Sequence, residues 1–341
     1  MKNAYVLYHN SDIDGFASAA LVKRYLLRRE FNSATIRFIG INYSDFLHGL
    51  ADVARKAKGG DEVYIVDMNV NEGWMVLSLF KGSVPACLSR IKERKCYVSW
   101  FDHHFWRKYF IDKVQPFTGN LHIDFKASST CRLIKEALLA DDNVAEKLCL
   151  IADQVDRDMW LEAEVEKKID WDQPCWRWYL ISEAVGKELV PAQWVVEKMV
   201  ESGAEWSQAL EDLALTAKRE VDHGVEGALQ KTVVRNIGGL KVAVTAANPQ
   251  PCKASLLGLY VYLANNVDLS MMILPNGSVS IRSIKGLACD VALRFHGGGH
   301  PKAAGAMLPL KRRLLLMLLR VYPTEWIWRV IQSYVGGSTT P

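Results

Sequence analysis

The sequence predicts an α/β protein in which a doubly wound parallel-sheet domain is joined by helices to a smaller mixed-sheet domain. Three observations support this prediction. The 341 residues exceed the usual size of one hydrophobic core, so two domains are expected. Short apolar runs alternate with helical patterns over the first 150 residues, and a second alternation begins at Lys231. An acidic stretch with almost wholly helical patterning separates the two alternations.

The first alternation predicts a mostly parallel sheet, because strands that alternate with helices form βαβ units. Runs rich in Val, Ile, Tyr and Phe predict strands at Ala4–Tyr8, Thr35–Ile41, Glu62–Asp67 and Cys96–Asp102, with a fifth near His122–Phe125. Helical spacing of apolar residues is present at Phe16–Arg29 and Asp45–Lys58. Ser128, Ser129 and Thr130 supply the capping side chains for a further helix that ends near Ala140.

The same sequence patterns predict the helices and strands from residue 143 onward. Residues 143–226 predict helices, the last of them from Trp206 to about Gly224. Beyond Lys231, strands are predicted at Thr232–Ile237, Leu240–Thr245, Leu269–Leu274 and Ser278–Ser283, and helices at Ser255–Asn265, Ala288–Phe295 and Glu325–Tyr334. Gly238-Gly239 and Asn276-Gly277 mark hairpin turns. The predicted domains are a catalytic domain over 1–190, a helical connector over 191–229 and a substrate-binding domain over 230–341.

Composition excludes several classes of protein. The longest apolar runs are about ten residues, whereas a membrane-spanning helix needs roughly twenty. The amino-terminal segment turns polar after eight residues and has no signal-peptide core. Seven scattered cysteines without a CxxC pair argue against a disulfide scaffold and a zinc ribbon. We therefore expect a cytoplasmic protein without a membrane partner.

The charge is distributed unevenly along the chain. Residues 151–226 carry 8 basic and 18 acidic side chains, a net charge of −10. Residues 227–341 carry 13 basic and 3 acidic side chains, a net charge of +10. A basic part of this size fits a polyanionic partner such as nucleic acid, and it equally fits a solvated face that docks on the acidic middle.

Acidic and histidine residues follow the predicted strands at or just beyond their carboxyl ends. These residues are His9, Asp12 and Asp14 after the first strand, Asp67 at the end of the third, and Asp102, His103 and His104 at the fourth. In an open parallel sheet such groups converge on one crevice. Several carboxylates in a small site require cations, and Asp with neutral His and no Cys suits Mn²⁺ or Mg²⁺. Taken singly, Asp12, Asp14 and Asp67 are also ordinary turn and cap residues.

The tripeptide Asp102-His103-His104 is rare by chance, since a shuffled chain with 20 Asp and 8 His would contain it about 0.01 times. With the motifs around it, the chain resembles the DHH–DHHA1 phosphoesterases, which include RecJ-type nucleases and oligoribonucleases. His9-x-x-Asp12-x-Asp14-Gly15 resembles the first family motif and Asp67 the second. Ile151-Ala152-Asp153 resembles the fourth, although Asp156 and Asp158 follow closely. Gly297-Gly298-Gly299-His300 followed by Ala303-Ala304-Gly305 resembles the DHHA1 signature.

The resemblance implies roles for these residues. One metal ion would be held by His9, Asp12 and Asp67, and a second by Asp14, Asp67, His103 and Asp153. Asp102 would orient an imidazole, and His104 would contact the scissile phosphate or the leaving oxygen. Arg282, Ser283, Gly298, Gly299 and His300 would bind substrate phosphates or bases in the second domain. His296, which replaces a frequent fourth glycine, either shapes that pocket or closes the preceding helix.

The expected function is therefore hydrolysis of phosphodiester bonds in short single-stranded oligonucleotides by two Mn²⁺ ions, with Mg²⁺ as the alternative cofactor. The same chemistry serves RecJ-like cleavage of longer DNA or RNA, cyclic dinucleotides, and adenosine 3′,5′-bisphosphate. A non-catalytic scaffold in a replication or repair assembly is the alternative from another class, and an inorganic pyrophosphatase is disfavoured by the GGGH signature. The sequence allows a homodimer without requiring one.

Overall fold

The chain folds as two units, each built on its own β-sheet. The computed structural model describes residues 2–70, 82–247, 250–299 and 301–335. The first unit comprises Met1–Leu161 and Asp170–Ala214, and the second comprises Glu162–Ile169 and Leu215–Pro341. The functional division at 1–190, 191–229 and 230–341 stays a prediction.

The sheet of the first unit has five parallel strands among the described residues, as predicted. They are β1 Ala4–His9, β2 Ile36–Ile41, β3 Glu62–Val66, β4 Tyr97–Asp102 and β5 Asn120–Ile123, in the order β2-β1-β3-β4-β5. Every residue of β3 is buried, because β3 is central and is covered on both faces. The strands that precede the predicted acidic residues, β1, β3 and β4, are therefore neighbours.

Helices cover both faces of this sheet, so the doubly wound prediction is confirmed. The helices between residues 13 and 230 are α1 Ile13–Arg28, α2 Phe46–Lys56, α3 Val84–Glu93, α4 Lys108–Val114, α5 Thr130–Leu138, α6 Asn143–Asp153, α7 Met159–Glu166, α8 Pro174–Gly186, α9 Ala192–Ser202 and α10 Gln208–Gln230, of which α7 from Glu162 and α10 from Leu215 belong to the second unit. On one face, Phe46, Leu50 and Leu88 join the sheet in an apolar core. Helix α1 packs against α5, α6 and α9. A π-helical turn, Gln154–Asp158, follows α6 directly.

The second unit contains a mixed sheet with six strands in the part of the chain that the structure describes. Its strands are β6 Thr232–Ile237, β7 Leu240–Ala246, β8 Leu269–Ile273, β9 Ser278–Ser283, β10 Gly298–Gly299 and β11 Ala303–Met307, in the order β10-β11-β9-β8-β7-β6. Only the β7–β8 pair is parallel among these strands. Gly238 and Gly239 adopt positive φ angles of 54° and 84° in the turn between β6 and β7, as the hairpin prediction requires.

Within the described ranges, four helices accompany this sheet: α11 Ala254–Asn265, α12 Ala288–Arg294, α13 Leu310–Leu319 and α14 Thr324–Val335. The sequence patterns predicted α11, α12 and α14 but not α13, β10 or β11. Leu316 is the one residue of α13 that is buried, so α13 lacks the broad inward apolar face that a periodicity argument detects. Among the described residues, no helix combines the length and the hydropathy that crossing a bilayer demands.

Candidate metal centre

The three neighbouring strands β1, β3 and β4 carry the predicted acids to one edge of the parallel sheet. His9 ends β1, Asp12 caps α1 by accepting a hydrogen bond from the Gly15 N–H (3.0 Å), and Asp67 follows β3. Gly15 has no room for a side chain, because an added Cβ would lie 2.0 Å from the His9 carbonyl oxygen. The tight β1–α1 turn is thus what brings Asp12 back toward His9.

Asp67 has an unusual backbone conformation. Its φ angle is +58°, in the left-handed region that costs a non-glycine residue of order 1–3 kcal/mol. Its N–H still donates to the Phe101 carbonyl oxygen (3.0 Å), so the contact with β4 is kept while the side chain leaves the regular strand direction. The Asp67 side chain is almost completely buried and lies between the His9 and His103 imidazoles.

Two groups of metal-binding side chains meet at Asp67. His9, Asp12 and Asp67 form one group, with His9 Nδ1 at 2.8 Å from Asp12 Oδ2 and 3.6 Å from Asp67 Oδ2. Asp67, His103 and His104 form the other, and in each group the donor atoms lie within 4.8 Å of one another. Among the described residues, the buried His9 Nδ1 atom has no partner with hydrogen-bond geometry, despite these two short distances. A nitrogen that faces carboxylates without a hydrogen bond fits a metal ligand.

Three carboxylate groups lie close to the His103 imidazole. Its Nε2 atom is 3.6 Å from Asp14 Oδ2, 3.8 Å from Asp67 Oδ1 and 3.5 Å from Asp156 Oδ2. Asp14 is anchored from the opposite side, since the N–H groups of Thr130 and Cys131 at the start of α5 donate to its two oxygens (2.7 and 2.8 Å). The Thr130 hydroxyl also donates to Asp67 Oδ1 (3.2 Å), so α5 positions two acids at once.

The charges of this cluster are poorly compensated by protein groups. Burial, with repulsion from Asp67 and Asp156, holds the pKa of Asp14 well above its usual range. Burial also raises the pKa of Asp156 to about 6, although His103 opposes the shift. Burial alone would lower the pKa of His9, but the Asp12 and Asp67 carboxylates raise it to about 10. The pKa values of both the carboxyl groups and the imidazole are raised, which indicates an excess of negative charge in the cluster. Bound cations would neutralise that charge.

The donor set fits divalent cations. Carboxylate oxygens and imidazole nitrogens without thiolates are the ligands that suit Mn²⁺ and Mg²⁺. Of the predicted ligands, the structure brings together His9, Asp12, Asp14, Asp67 and His103.

Asp153, the predicted fourth ligand, is bound by side chains outside this cluster. Its Oδ2 atom accepts from Arg132 Nη2 (2.6 Å), and its Oδ1 atom accepts from the Ser128 and Ser129 hydroxyls (2.7 and 2.6 Å). Asp156, which the sequence left as the alternative, takes the place beside His103. The difference arises in the π-helical turn Gln154–Asp158, which shifts the side-chain register after α6. Sequence spacing carries no signal for such a turn.

Asp102 and His104 form a separate hydrogen-bonded pair. Asp102 is fully buried; its Oδ1 atom lies 2.8 Å from His104 Nδ1 and its Oδ2 atom accepts from Trp106 Nε1 (2.6 Å). Burial alone would lower the pKa of His104, but the Asp102 hydrogen bond and charge raise it to about 9. The predicted orienting role of Asp102 matches this geometry, with His104 as the imidazole it orients.

Two further residues at this site were not anticipated from the sequence. The Trp106 indole fixes the second oxygen of Asp102, and the Tyr43 ring packs edge-on against the His9 imidazole with 5.2 Å between ring centroids. Trp106 lies two residues after the Asp-His-His tripeptide, and this closeness in the sequence could have indicated a role in the site. Tyr43 stands in the β2–α2 connection and has no sequence signal of its own.

The predicted substrate residues of the second unit occupy its β9–β11 region. The Arg282 side chain runs across Gly258, where an added Cβ would lie 2.9 Å from Arg282 Cδ. The Ser283 hydroxyl donates to the Asp268 carbonyl oxygen (2.9 Å) and is thereby used within the fold. His300 lies outside the described residues.

The glycine run forms a strand pair in this structure. Gly298 pairs with Gly305 and Gly299 with Ala304, and an added Cβ at Gly299 would lie 2.6 Å from Ala304 Cα. The glycines therefore allow close approach of β10 and β11.

His296 closes helix α12. It has a φ angle of +56°; its N–H donates to the Leu293 carbonyl oxygen (3.1 Å), and the Gly297 N–H donates to that of Ala292 (2.8 Å). This is the Schellman arrangement at a helix carboxyl end. Of the two roles that the sequence left open for His296, the structure shows this one.

Comparison with solved structures identifies proteins that share this fold. RecJ from Thermus thermophilus in complex with Mn²⁺ matches with a TM-score of 0.59 at 15% identity, over 100% of this chain and 53% of that one. A structure of the exonuclease RecJ bound to manganese matches with a TM-score of 0.53 at 14% identity, over 100% of this chain and 91% of that one. No protein-family model and no curated protein matched the sequence. The chain spans about half the length of the Thermus protein, and the predicted DHH–DHHA1 resemblance is confirmed as a shared fold.

Proposed function

We propose that this protein is a divalent-metal-dependent phosphodiesterase that removes nucleotides from single-stranded nucleic acids as an exonuclease. The observation that carries the proposal is the shared position of Asp67 between two groups of metal-binding side chains. The structures of RecJ exonucleases in complex with manganese, which share this fold, support it.

Two divalent ions would bind here, one at His9, Asp12 and Asp67 and the other at Asp67, His103 and Asp156, with Asp14 beside the second. We do not assign His104 as a ligand, although it belongs to the second group, because its Nδ1 atom pairs with Asp102. Asp156 takes the place predicted for Asp153, because Arg132 and two serine hydroxyls occupy the Asp153 oxygens. Such a pair of ions lowers the pKa of a water molecule and neutralises phosphate oxygens in an in-line displacement. We expect Mn²⁺ or Mg²⁺, since the donor set lacks sulfur.

The protein groups around the ions have distinct tasks in this proposal. The Asp102 hydrogen bond and charge raise the pKa of His104 to about 9, so in this proposal His104 donates its proton to a phosphate oxygen or to the leaving oxygen. Asp102 keeps the His104 ring oriented through Nδ1, which leaves Nε2 for the substrate. Trp106 holds Asp102 in turn.

Arg282 is the group of the second unit that we propose to bind substrate. A guanidinium group matches phosphate geometry with two parallel hydrogen bonds, and the part of the chain after residue 226 carries a net charge of +10. Gly298 and His300 remain proposed contacts on the strength of the sequence motif. Ser283 and Gly299 support this region by hydrogen bonding and strand pairing, as described above.

The preferred substrate is the finer part of the proposal. We favour oligonucleotides of two to five residues, as in oligoribonucleases, over the long strands that a RecJ-like nuclease degrades. The test is product analysis on 3- and 20-nucleotide RNA and DNA, labelled at either end, with Mn²⁺ present. Release of mononucleotides from the 3-mers with a higher kcat/KM than from the 20-mers would support the oligonucleotide proposal. Equal or better rates on the 20-mers would favour the RecJ-like alternative, and no hydrolysis of any substrate would favour the scaffold.

A further inference from the structure

Two exposed phenylalanine side chains stand next to the candidate metal centre. Phe105 directly follows His104 and is 70% exposed, and Phe125 lies two residues beyond β5 and is 63% exposed. Their ring centroids are 6.2 Å apart and their planes are inclined by 72°. A large apolar side chain in water forgoes the free energy of burial, so two exposed rings in contact are a candidate surface for a ligand.

Asp102 forms hydrogen bonds with the neighbours of both phenylalanines in the sequence. Phe105 lies between His104 and Trp106, whose side chains each contact the Asp102 carboxylate. Phe125 stands in a turn in which the Asp124 N–H donates to the Asp102 carbonyl oxygen (3.2 Å) and the Ala127 N–H donates to that of Asp124 (3.1 Å). The two segments that carry the exposed pair are therefore joined to Asp102, which also binds His104, the group that we expect to contact phosphate.

Exposed basic side chains accompany each ring. Arg107 and Lys108 follow Phe105, and Lys126 follows Phe125. Aromatic rings interleaved with cations suit single-stranded nucleic acids, because ring faces stack on bases while cations attract the backbone phosphates.

We propose that Phe105 and Phe125 form a nucleobase-binding site that holds the base next to the scissile phosphate. The two rings are arranged edge-to-face, so a base can stack on the face of one while its edge contacts the other. Stacking of this kind requires an unpaired base and tolerates any sequence. The inference rests on the proposed nuclease function and adds to it a physical reason for selecting single strands.

The test compares trinucleotides that carry all their bases with versions in which the nucleoside on one side of the cleaved bond is abasic. For Phe105→Ala and for Phe125→Ala, kcat/KM on the intact trinucleotide should fall by roughly 5- to 150-fold, the range of one stacked base. One of the two abasic versions lacks the base that stacks on the rings. On that substrate, the kcat/KM values of wild type and variants should agree within about twofold. Phe105→Trp should retain the wild-type rate, and Leu150→Ala, another exposed apolar position of the first unit, is the matched control.

A binding measurement without catalysis completes the test. In EDTA, a trinucleotide with 2-aminopurine at the position identified above should lose fluorescence on binding wild type and should not on binding Phe105→Ala. Equal losses by the variants on intact and abasic substrates, or unchanged quenching, would overturn the base-binding site while leaving the nuclease function standing. A wild-type protein that cleaves neither substrate would instead overturn the function on which the inference rests.

Discussion

Arg132 Nη2 donates a hydrogen bond of 2.6 Å to Asp153 Oδ2, and the same guanidinium group binds Glu146 through Nη1. This ion pair engages Asp153, whereas Asp156 Oδ2 lies 3.5 Å from His103 Nε2, and we therefore propose Asp156 as the metal ligand. The Arg132–Asp153 ion pair therefore links α5 to the end of α6. The first residues of α5 donate hydrogen bonds to Asp14 and Asp67.

Asp153→Asn and Asp156→Asn should have opposite effects. Asp153→Asn should lower the free energy of unfolding by about 1–3 kcal/mol, because Arg132 loses a charged acceptor, while Mn²⁺ affinity changes little. Asp156→Asn should leave stability in EDTA unchanged or higher, because a carboxylate with a raised pKa that lies near Asp12 and Asp67 is replaced, and should weaken Mn²⁺ binding at least tenfold. Urea unfolding and Mn²⁺ titration of both variants check this. A loss of Mn²⁺ binding in the Asp153 variant alone would restore the sequence-based assignment.

Asp102→Asn should change the pH dependence of catalysis. The Asp102 carboxylate raises the pKa of His104 to about 9, so removing its charge lowers the pH at which His104 loses its proton. If protonated His104 is needed, the alkaline limb of kcat moves to lower pH and the rate at pH 8 falls. The profile of kcat between pH 6 and 10 measures this. An unchanged alkaline limb would mean that His104 acts without its proton.

Without divalent ions, stability should fall between pH 6.5 and 8.5. The pKa values of His9 and His104 are raised in the folded state, to about 10 and about 9, so the folded protein keeps protons that the unfolded chain releases from about pH 6.5 upward. Their contribution is complete below that pH and declines as the pH rises through the folded values. Thermal unfolding in EDTA should show a falling Tm, and the double variant His9→Asn/His104→Asn a flatter curve. A Tm that rises over this interval would contradict the charge assignment.

Arg282→Ala should act on oligonucleotides more than on small phosphodiesters. A charge-assisted contact contributes about 1.5–3 kcal/mol, so kcat/KM on a dinucleotide should fall roughly ten- to a hundredfold. Methyl p-nitrophenyl phosphate, which is too small to extend beyond the metal centre, should be hydrolysed at the wild-type rate. Lys311→Ala, an exposed cation on α13, serves as the control. Equal losses on both substrates would show that Arg282 supports the fold instead of binding substrate.

The strands of the first unit were predictable because each is a short apolar run between turn signals. Asp12, Asp67 and Asp102 were predictable as a group, since acids at the ends of adjacent parallel strands must converge. Strands β10 and β11 were not, because Gly298-Gly299 and the Ala-rich segment after Lys302 have little strand propensity and form by pairing with β9.

The backbone conformations around Asp156 and Asp67 lay beyond the sequence, although the family resemblance already assigned Asp67 to both metal ions. Asp156 lies in a π-helical turn that follows Asp153, and Asp67 has a left-handed backbone. Both are local departures from regular structure that surrounding contacts impose, so residue spacing does not encode them. The pairing of the Asp102 oxygens with His104 and Trp106 likewise depends on how the loop after β4 folds.

Isothermal titration of Mn²⁺ into wild type and into Asp67→Asn tests the central claim most directly. Asp67 is common to both groups of ligands, so a neutral amide there should disrupt two sites at once. We predict two bound ions per wild-type chain, and none or one weakly bound ion in a variant that remains folded and loses nearly all hydrolysis. Two ions bound to Asp67→Asn with wild-type affinity, or more than a few per cent of the wild-type rate at saturating Mn²⁺, would contradict a two-metal centre joined by Asp67.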